Sequence, residues 1–248
     1  MSEITKKRVA VMIPTYNEAE NIGGLVRAIL DLPMDAEIAV VVADDDSPDG
    51  TGRIVEGLSR EDERVHVLIR RKRRGRGAGG IDGFKAALEL RPDFVVEMDG
   101  DLSHQPRFVP DLVEAMKNCD VAIGSRFIKG GRDSDRPLLR RLITALVRRF
   151  LSRQFRFSVK DVTSGFRCFR KEVLERIGLD DMISVGPSIV LEVLYKASLL
   201  GFRISEVPIE FIDRKRGKTK LSLLVLLETM IMAMKIKQQY KPAPEIRW

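Results

Sequence analysis

Short apolar runs alternate with segments of helical periodicity through the first half of the chain. The runs predict strands, namely RVAVMIP (8–14), EIAVVVA (37–43), RVHVLIR (64–70), DFVVEM (93–98) and DVAIG (120–124). Helices are predicted between them, at about 18–30, after residue 51, over 83–90 and near 107–117. Apolar strands separated by helices predict an α/β fold, with a mostly parallel, doubly wound sheet covered on both faces.

From residue 131 onward the pattern changes. The segment LLRRLITALVRRFLSRQF (138–155) predicts a helix with arginines around an apolar stripe of Leu139, Leu142, Leu146 and Phe150. Such a helix either lies on a membrane surface or packs on the sheet with its arginines in water, and the pattern is equally typical of both. A strand-like piece, a helix over 188–200, a strand ISEVPIEFI (204–212) and an apolar helix over 221–234 complete the prediction.

Neither end of the chain predicts a membrane span. The N-terminus lacks a long apolar region, so we expect no signal peptide. The apolar segment 221–234 falls short of the roughly 20 residues of a spanning helix and contains Glu228. We therefore expect a peripheral protein at most.

Every unusual polar cluster follows a predicted strand. These clusters are PTYNE, DDDSPDG, RRKRRGRG, DGD and GSR. In parallel sheets, ligands bind beyond the carboxyl ends of the strands. The pattern therefore predicts one ligand site at that edge of the sheet.

Charge is unevenly divided along the 248 residues. Residues 1–64 hold seven Lys and Arg against fourteen Asp and Glu, a net charge of −7. Because the whole chain carries +7, residues 65–248 carry +14. The basic part should face nucleic acid, phospholipid or a phosphorylated substrate. Cys119 and Cys168 lie far apart and form no CxxC pattern, so we expect no disulfide framework and a reducing compartment.

Asp99 and Asp101 follow a buried strand with only Gly100 between them. Oxygen ligands favour Mg²⁺ or Mn²⁺, and Mg²⁺ usually shares its coordination shell with substrate phosphates. With only two histidines, His66 and His104, a zinc site has little support. The alternative is a solvated turn, and the two carboxylates alone do not decide between them.

Two further clusters have both a functional and a structural interpretation. Asp44, Asp45 or Asp46 could accept hydrogen bonds from a base or ribose, while Ser47 and Asp49 could cap the next helix. The basic stretch 70–80 predicts a loop that faces phosphates, although a solvated charge run or a nucleic-acid patch would look the same. The stretch has no interleaved aromatic residue, which argues against single-strand binding.

Taken in order, these motifs resemble the family 2 glycosyltransferases of the dolichol-phosphate mannose synthase type. The resemblance runs from about residue 8 to 222, and the segments that carry it are PTYNEAENI, DDDSPDGT, MDGDLSHQP, GSRF, TSGFRCF and EVPIEFIDRKRGKTKL. It implies a GT-A domain over 1–220, with a nucleotide-sugar half at about 8–130 and an acceptor half at about 131–220. Residues 221–248 would form an apolar helix and tail at the membrane interface.

The resemblance also implies roles for individual residues. Nucleotide-sugar contacts would come from Pro14, Tyr16, Glu18, Asp44, Asp45, Asp46, Gly77 and Asp99. Asp99 and Asp101 would hold Mg²⁺ or Mn²⁺. The acceptor phosphate would meet Arg126, Arg140, Thr144, Ser164, Arg167, Arg214 and Lys220, with Asp161 and Gly165 in the same acceptor-lining block. The catalytic set would be Asp101, Arg126, Arg214 and Lys220.

The chain departs from the family pattern at four places. It has Gly75-Arg76-Gly77 where Gly-Leu-Gly is usual, and Thr219-Lys220-Leu221 where Ser-Lys-Leu is usual. Thr144 replaces a Ser, and 184–192 lacks the usual aromatic and Gln residues. These departures bear on acceptor length and sugar identity.

The reaction implied by the resemblance is inverting transfer of mannose from GDP-mannose to dolichyl or polyprenyl phosphate, for protein glycosylation or glycolipid synthesis. The expected location is cytoplasmic, on the cytoplasmic face of a membrane, and a small membrane-protein partner is left open. One alternative is a related enzyme that uses UDP-glucose or another sugar nucleotide. A nucleic-acid-binding module is the other alternative, and because no such motif is present we expect no nucleic acid.

Overall fold

The computed structural model describes residues 6–72, 74–134, 138–212 and 223–241. Within them the strands are β1 (Lys7–Thr15), β2 (Ala36–Asp44), β3 (Val65–Ile69), β4 (Phe94–Glu97), β5 (Val121–Ser125), β6 (Arg132–Ser134), β7 (Arg167–Arg170), β8 (Ile204–Pro208) and β9 (Glu210–Ile212). The α-helices are α1 (Ala19–Leu30), α2 (Thr51–Glu61), α3 (Arg76–Glu89), α4 (Val109–Ala115), α5 (Leu138–Phe155), α6 (Lys171–Arg176), α7 (Ile189–Leu199) and α8 (Leu223–Gln239). Short 3-10 turns cover 106–108 and 179–181.

Seven strands form the central sheet in the order β3-β2-β1-β4-β7-β5-β8. All neighbouring pairs are parallel except those of β7, which runs antiparallel between β4 and β5. The predicted mostly parallel sheet is confirmed. The predicted strand-like piece is β7. It lies between β4 and β5, so a strand from the second half of the chain separates two strands of the first half.

Alternation along β1 fills a core on each face of the sheet. Val9, Val11 and Ile13 point into a cluster with α1, α2 and α4, whereas Ala10 and Met12 point into a cluster with α3, α5, α6, α7 and α8. The strand residues are buried on both sides because helices cover both faces. This burial explains why the strands read as continuous apolar runs.

The single strand predicted over 204–212 is wrong, because the structure divides it into β8 and β9. Pro208, at the end of β8, has no N–H to continue the ladder. The Ile209 N–H donates to the carbonyl of Ser125, the last residue of β5, while the Ile209 carbonyl accepts from the Arg132 N–H. The chain thus passes into a second, two-stranded parallel sheet of β6 and β9.

The apolar stripe predicted on the 138–155 helix is also wrong in detail. Among the described side chains of α5, Leu151 and Phe155 are buried, and Val147 and Phe150 are half-buried against the same core, so Phe150 packs as predicted. Leu146, expected on the apolar stripe, is 69% exposed. The side chains of Leu139 and Leu142 lie outside the described residues. The second half of α5 therefore packs on the core.

The last helix, α8, extends five residues past the predicted end at residue 234. Ala233 and Ile236 are buried in the core cluster that also contains Leu151 and Phe155, whereas Ile231 and Met234 are exposed. In the part of the chain that the structure describes, no helix has both the length and the apolarity needed to cross a bilayer.

Candidate active site

The carboxyl ends of β1 and β2 meet at Thr15 and Asp44, which are paired in register. Asp44 is fully buried and accepts hydrogen bonds from the Thr15 hydroxyl (2.9 Å), the Ser47 N–H (2.8 Å) and the Ser47 hydroxyl (2.6 Å). This carboxylate therefore shapes the turn after β2, because both its oxygens are held inside the protein.

Asp49 ties together the beginnings of α1 and α2. Its carboxylate accepts from the Ala19 N–H (3.0 Å), the Thr51 N–H (3.0 Å) and the Thr51 hydroxyl (2.6 Å). Burial alone would raise the pKa of Asp49, but these hydrogen bonds outweigh it and lower the pKa. The N-cap residue of α2 is Gly50, but Asp49 before it accepts from the first N–H of the helix and so satisfies that group; Ser47 instead accepts from the Asn17 N–H (3.0 Å).

The residues predicted to contact the nucleotide lie along this edge. Pro14 is half-buried near the end of β1, and Tyr16 beyond it is 38% exposed. Glu18 accepts a hydrogen bond from the Asn21 amide (2.9 Å), and its side chain lies beside Gly100. Glu18 and Thr15 contact the turn that carries Asp99 and Asp101, and Pro14 and Tyr16 flank Thr15 in the chain.

The basic loop after β3 turns onto the acids after β2. The buried Arg70 guanidinium forms ion pairs with Asp45 and, at 2.8 Å, with Asp82. Arg74 pairs with Asp46 (2.7 Å), a residue held at a φ of +53°. The prediction that this loop's arginines face phosphates therefore overlooked these internal partners, because sequence shows no cross-loop pairing.

Two glycines seat this loop closely on the segment before α7. Gly75 has a φ of +132°, and its N–H donates to Asp45 (2.7 Å). The Gly77 N–H donates to the Val185 carbonyl (2.8 Å), and a Cβ at position 77 would lie 2.7 Å from the Ser184 carbonyl oxygen. Gly77 thus permits a backbone approach that no side chain would allow.

The segment under the loop is itself held by a buried carboxylate, Glu192 of α7. Glu192 accepts from the Ile183 and Ser184 N–H groups, both at 2.8 Å. The Tyr240 hydroxyl, at the end of α8, lies 2.7 Å from the same carboxylate. A chain of contacts thus connects α8 to the loop around Gly77.

The Asp99-Gly100-Asp101 turn follows β4 and packs on the end of β1. A Cβ at Gly100 would lie 3.0 Å from the Thr15 methyl, so glycine permits this approach. Asp101 is buried and accepts from the Ser103 N–H (3.0 Å) and hydroxyl (2.5 Å). The Asp99 N–H donates to His104 Nδ1 (3.0 Å), which fixes the shape of the turn.

His104 joins this turn to the acceptor side. Its ring stacks on Phe166, with centroids 5.0 Å apart, and meets the edge of Phe211 at 5.8 Å. Burial is the main cause of its lowered pKa, against the opposing charges of Asp99 and Asp101. His104 is therefore a neutral acceptor at Nδ1, which agrees with the hydrogen bond it receives.

The positive charge next to the two aspartates comes from Arg76. Arg76 Nη2 donates to Glu97 Oε1 (2.9 Å) and to Asp99 Oδ1 (3.1 Å). Burial would lower the pKa of Arg76, but the charges of Glu97 and Asp99 outweigh it and raise the pKa. Sequence reasoning missed this role, although the departure from Gly-Leu-Gly at 75–77 marked the position.

The two carboxylates of Asp99 and Asp101 fit a divalent ion whose other ligands come from a substrate. The Asp99 side chain is 31% exposed and Asp101 contributes a second carboxylate. Among the described residues no group of three or more His, Cys, Asp and Glu could hold a metal ion. Two carboxylates are too few for an all-protein site, but they suit Mg²⁺ or Mn²⁺ that completes its shell with phosphate and water.

On the predicted acceptor side, Arg126 and Asp161 form a buried, two-point ion pair. Arg126 Nε donates to Asp161 Oδ2 (2.8 Å) and Nη2 donates to Oδ1 (2.9 Å). The guanidinium also lies over the Phe127 and Phe211 rings, about 5 Å from each centroid. Burial would raise the pKa of Asp161, but the hydrogen bonds and charge of Arg126 hold it below its usual range.

Arg167 is fully buried, and its guanidinium donates to the carbonyls of Val162 (3.0 Å) and Val190. Burial is the largest cause that lowers its pKa, to about 10. The side chain therefore holds the loop around residues 161–165 to α7. Ser164, also buried, accepts from the Phe166 N–H (3.3 Å).

Gly165 is where the loop predicted to line the acceptor meets the aspartates predicted to hold the metal. A Cβ at this position would lie 3.1 Å from Arg76 Nη2 and 3.8 Å from Asp99 Oδ1. Thr144 is half-buried on α5. Arg214 and Lys220 lie outside the described residues, and so does the side chain of Arg140, so their roles stay predictions.

The chain is similar in sequence to known proteins. Residues 10–178 match the family described as Glycosyl transferase family 2. An undecaprenyl-phosphate mannosyltransferase of Micrococcus luteus is 37% identical over 224 residues, covering 90% of this chain and 91% of the relative. A dolichol-phosphate mannosyltransferase of Pyrococcus furiosus is 40% identical over 225 residues, covering 89% of this chain and 61% of the relative.

The fold is similar to that of glucosyl-3-phosphoglycerate synthase from Mycobacterium tuberculosis, crystallised with Mn²⁺, UDP-glucose and phosphoglyceric acid. The TM-score is 0.68 at 20% identity, and the match covers 93% of this chain and 79% of that one. At this identity the likeness concerns the fold.

Proposed function

Because the chain belongs to glycosyl transferase family 2 and has the GT-A fold, we propose that it transfers mannose from GDP-mannose to the phosphate of a dolichyl or other polyprenyl lipid, with inversion. The curated relatives named above carry polyprenyl-phosphate or dolichol-phosphate mannosyltransferase names over about nine tenths of the chain. The observation that carries the proposal is the meeting of Asp99 with the acceptor-lining loop at Gly165.

Asp99 and Asp101 are the residues that would hold Mg²⁺ or Mn²⁺ at the donor side. The bound ion would supply positive charge to a diphosphate leaving group. Tyr16, Glu18 and the loop at Gly77 border the same edge and would position the nucleotide. Asp44 and Asp49 act indirectly, because their oxygens fix the turns that present these groups.

The acceptor needs no general base, because a phosphate monoester is already ionised at neutral pH. Its attack on the anomeric carbon requires two anions to approach, so the protein's contribution is positive charge and orientation. Arg126 is held rigidly by Asp161 beside the acceptor loop. Together with Arg140, Arg214 and Lys220, it would guide the phosphate during a single in-line displacement.

A peripheral position on the cytoplasmic face of a membrane fits the surface of α5 and α8. Both helices expose apolar side chains beside exposed basic ones, namely Ile143, Leu146, Ile231 and Met234 with Arg141, Arg149, Lys235 and Lys237. Apolar insertion combined with basic charge favours anionic lipid surfaces.

The direct test offers purified protein GDP-mannose or UDP-glucose, with a polyprenyl phosphate in detergent and Mg²⁺ or Mn²⁺. We expect lipid-phosphate mannose from GDP-mannose. Preference for UDP-glucose would keep the transferase and replace the donor. Absence of any glycolipid product, with salt-dependent binding of short RNA or DNA, would favour the nucleic-acid-binding alternative.

Asp101→Asn tests the metal carboxylate. We expect turnover to fall by about a hundredfold or more, because a preorganised electrostatic contact at the reacting charge is lost. Asp62→Asn is the matched control, since Asp62 pairs only locally with Arg64 at the surface end of α2. Thermal unfolding of both variants separates lost chemistry from lost folding. Normal turnover by Asp101→Asn would remove the metal assignment.

A further inference from the structure

Arg76 touches the predicted metal ligand from inside the protein. It is the first residue of α3, and its side chain is only 24% exposed. A single nitrogen, Nη2, is shared between Glu97 Oε1 (2.9 Å) and Asp99 Oδ1 (3.1 Å). The guanidinium therefore already neutralises part of the carboxylate charge at this turn.

The two partners of Arg76 differ in their surroundings. Glu97 is buried at the end of β4, where an unpaired carboxylate would be costly, so its pairing with Arg76 is structural. Asp99 is partly exposed and belongs to the turn that opens toward the ligand edge. The contact with Glu97 can therefore persist while the contact with Asp99 is exchanged.

Arg76 also has hydrogen-bonding capacity to spare. Its Nη1 atom is buried and has no hydrogen-bond partner among the described residues. The atom lies toward α3 and α7, 3.5 Å from a Cβ built at Gly80. Because the guanidinium is not saturated in this arrangement, loss of the Asp99 contact does not dismantle a complete network.

We propose that Arg76 competes with the divalent metal for Asp99, and so lowers the metal affinity of the donor site. The inference rests on the proposed metal site at Asp99 and Asp101. One carboxylate oxygen cannot give its full charge to both a guanidinium and a metal ion. Metal binding at Asp99 Oδ1 therefore requires Arg76 Nη2 to leave that oxygen, while Glu97 keeps the side chain in place. Arg76 is on this view a positioning residue that tunes the site.

The test measures Mn²⁺ binding directly, by titration of the purified protein in the presence of GDP and detection of free Mn²⁺ by electron paramagnetic resonance. The main variant is Arg76→Leu combined with Glu97→Val. It removes one charge of each sign, so the formal net charge stays constant, and it leaves no buried unpaired Glu97. Thermal unfolding checks that the variant is folded.

Arg74→Leu is the matched control. It removes a positive charge two residues away, from an exposed side chain whose ion pair is with Asp46. We expect the Mn²⁺ dissociation constant of the double variant to fall by about tenfold or more, because one charge-assisted hydrogen bond no longer competes for Asp99. The control should change the dissociation constant by less than about threefold, as expected for a screened surface charge.

Mn²⁺ binding by the double variant that is no tighter than in the wild type overturns the competition. If the double variant does not fold, Arg76→Lys decides, because the lysine side chain is one bond shorter than arginine and its nitrogen should keep Glu97 but reach Asp99 less well. Tighter Mn²⁺ binding by Arg76→Lys supports the inference and unchanged binding overturns it. The metal site itself is tested separately. If Mn²⁺ binding by the wild type does not depend on Asp101, the proposed metal site is wrong, and the proposed competition with Arg76 is wrong with it.

Discussion

At the residue scale, buried charges in this protein are held in specific pairs. Asp161 has almost no exposed surface and is met at two points by Arg126. Arg76 serves Glu97 and Asp99, and Arg70 serves Asp45 and Asp82. Sequence placed Asp99 and Asp101 at a strand end correctly. It could not assign the pairs, because the partners are 12 to 35 residues apart and meet only through the fold.

We predict that Asp161→Asn destabilises the fold by about 3–5 kcal/mol at pH 7, because it leaves Arg126 buried without its counter-charge. The pKa of Asp161 is lowered in the folded protein, so its ionised form contributes stability above the unfolded value of about 3.9. That contribution is lost as pH falls through the folded value. Urea unfolding of wild type and variant at pH 7 and pH 3 should therefore show a difference that shrinks in acid.

The surface pair of Asp62 and Arg64 is the comparison for this experiment. Hydrogen bonds from Arg64 lower the pKa of Asp62 to about 2, but the pair is in contact with solvent. Asp62→Asn should cost about 0–1 kcal/mol. An Asp161→Asn variant that is no less stable than Asp62→Asn would contradict the role given to the buried pair.

At the element scale, apolar patterning predicted the strands and helices of the first half well. It could not give the direction of β7, whose four residues include two arginines and whose place between β4 and β5 is fixed by pairing with both. It also missed β6 and α6, which are three and six residues long. Elements this short carry too few positions to show a period.

The contact between α3 and the segment before α7 makes Gly77 sensitive to a single methyl group. We predict that Gly77→Ala destabilises the protein by about 1–3 kcal/mol, because its Cβ would meet backbone atoms of Ser184 and Val185 at 2.7 Å. Donor KM should also rise, since the loop must shift. Urea unfolding and initial rates against sugar-nucleotide concentration measure the two effects.

Gly57→Ala is the helical control for this change. Gly57 lies inside α2, and a Cβ there would meet nothing within 4 Å. Alanine should therefore stabilise the helix by about 0.5–1 kcal/mol. Equal stabilisation by Gly77→Ala would mean that the loop does not sit as tightly as described.

Tyr240 anchors α8 through one hydroxyl, which lies 2.7 Å from Glu192 and 2.5 Å from the Asp181 carbonyl. Burial, then the hydrogen bond to Glu192, raise the pKa of Tyr240, so the hydroxyl stays a donor. We predict that Tyr240→Phe costs about 1.5–3 kcal/mol, as for a hydrogen bond to a charged group. Hydrogen exchange along α8 should speed up, while the exposed Gln239→Ala leaves it unchanged.

At the scale of the whole molecule, ion pairs inside the fold neutralise part of the charge difference between residues 1–64 and 65–248. Arg70 and Arg74, from the basic part, pair with Asp45 and Asp46 of the acidic part. The excess positive charge that remains includes exposed residues of α5 and α8. Composition predicted an anionic partner but could not tell which arginines were already paired.

We predict that Leu146→Glu weakens binding to vesicles that contain anionic lipid by about tenfold or more, because a carboxylate replaces an inserted apolar side chain next to basic residues. Leu200→Glu is the control, since Leu200 is also exposed but follows α7. Co-sedimentation with vesicles measures both. Equal loss in the two variants would show that α5 is not the contacting surface.

The position of β7 has a consequence for how the protein is made. When a ribosome has synthesised residues 1–130, β4 has its partner β1 on one side, but its other edge waits for residues 167–170. That edge belongs to a strand of buried residues, Phe94–Glu97, and exposed apolar edges attract other chains. A truncated chain ending at 130 should therefore aggregate, and nascent chains would need shielding until β7 has been translated.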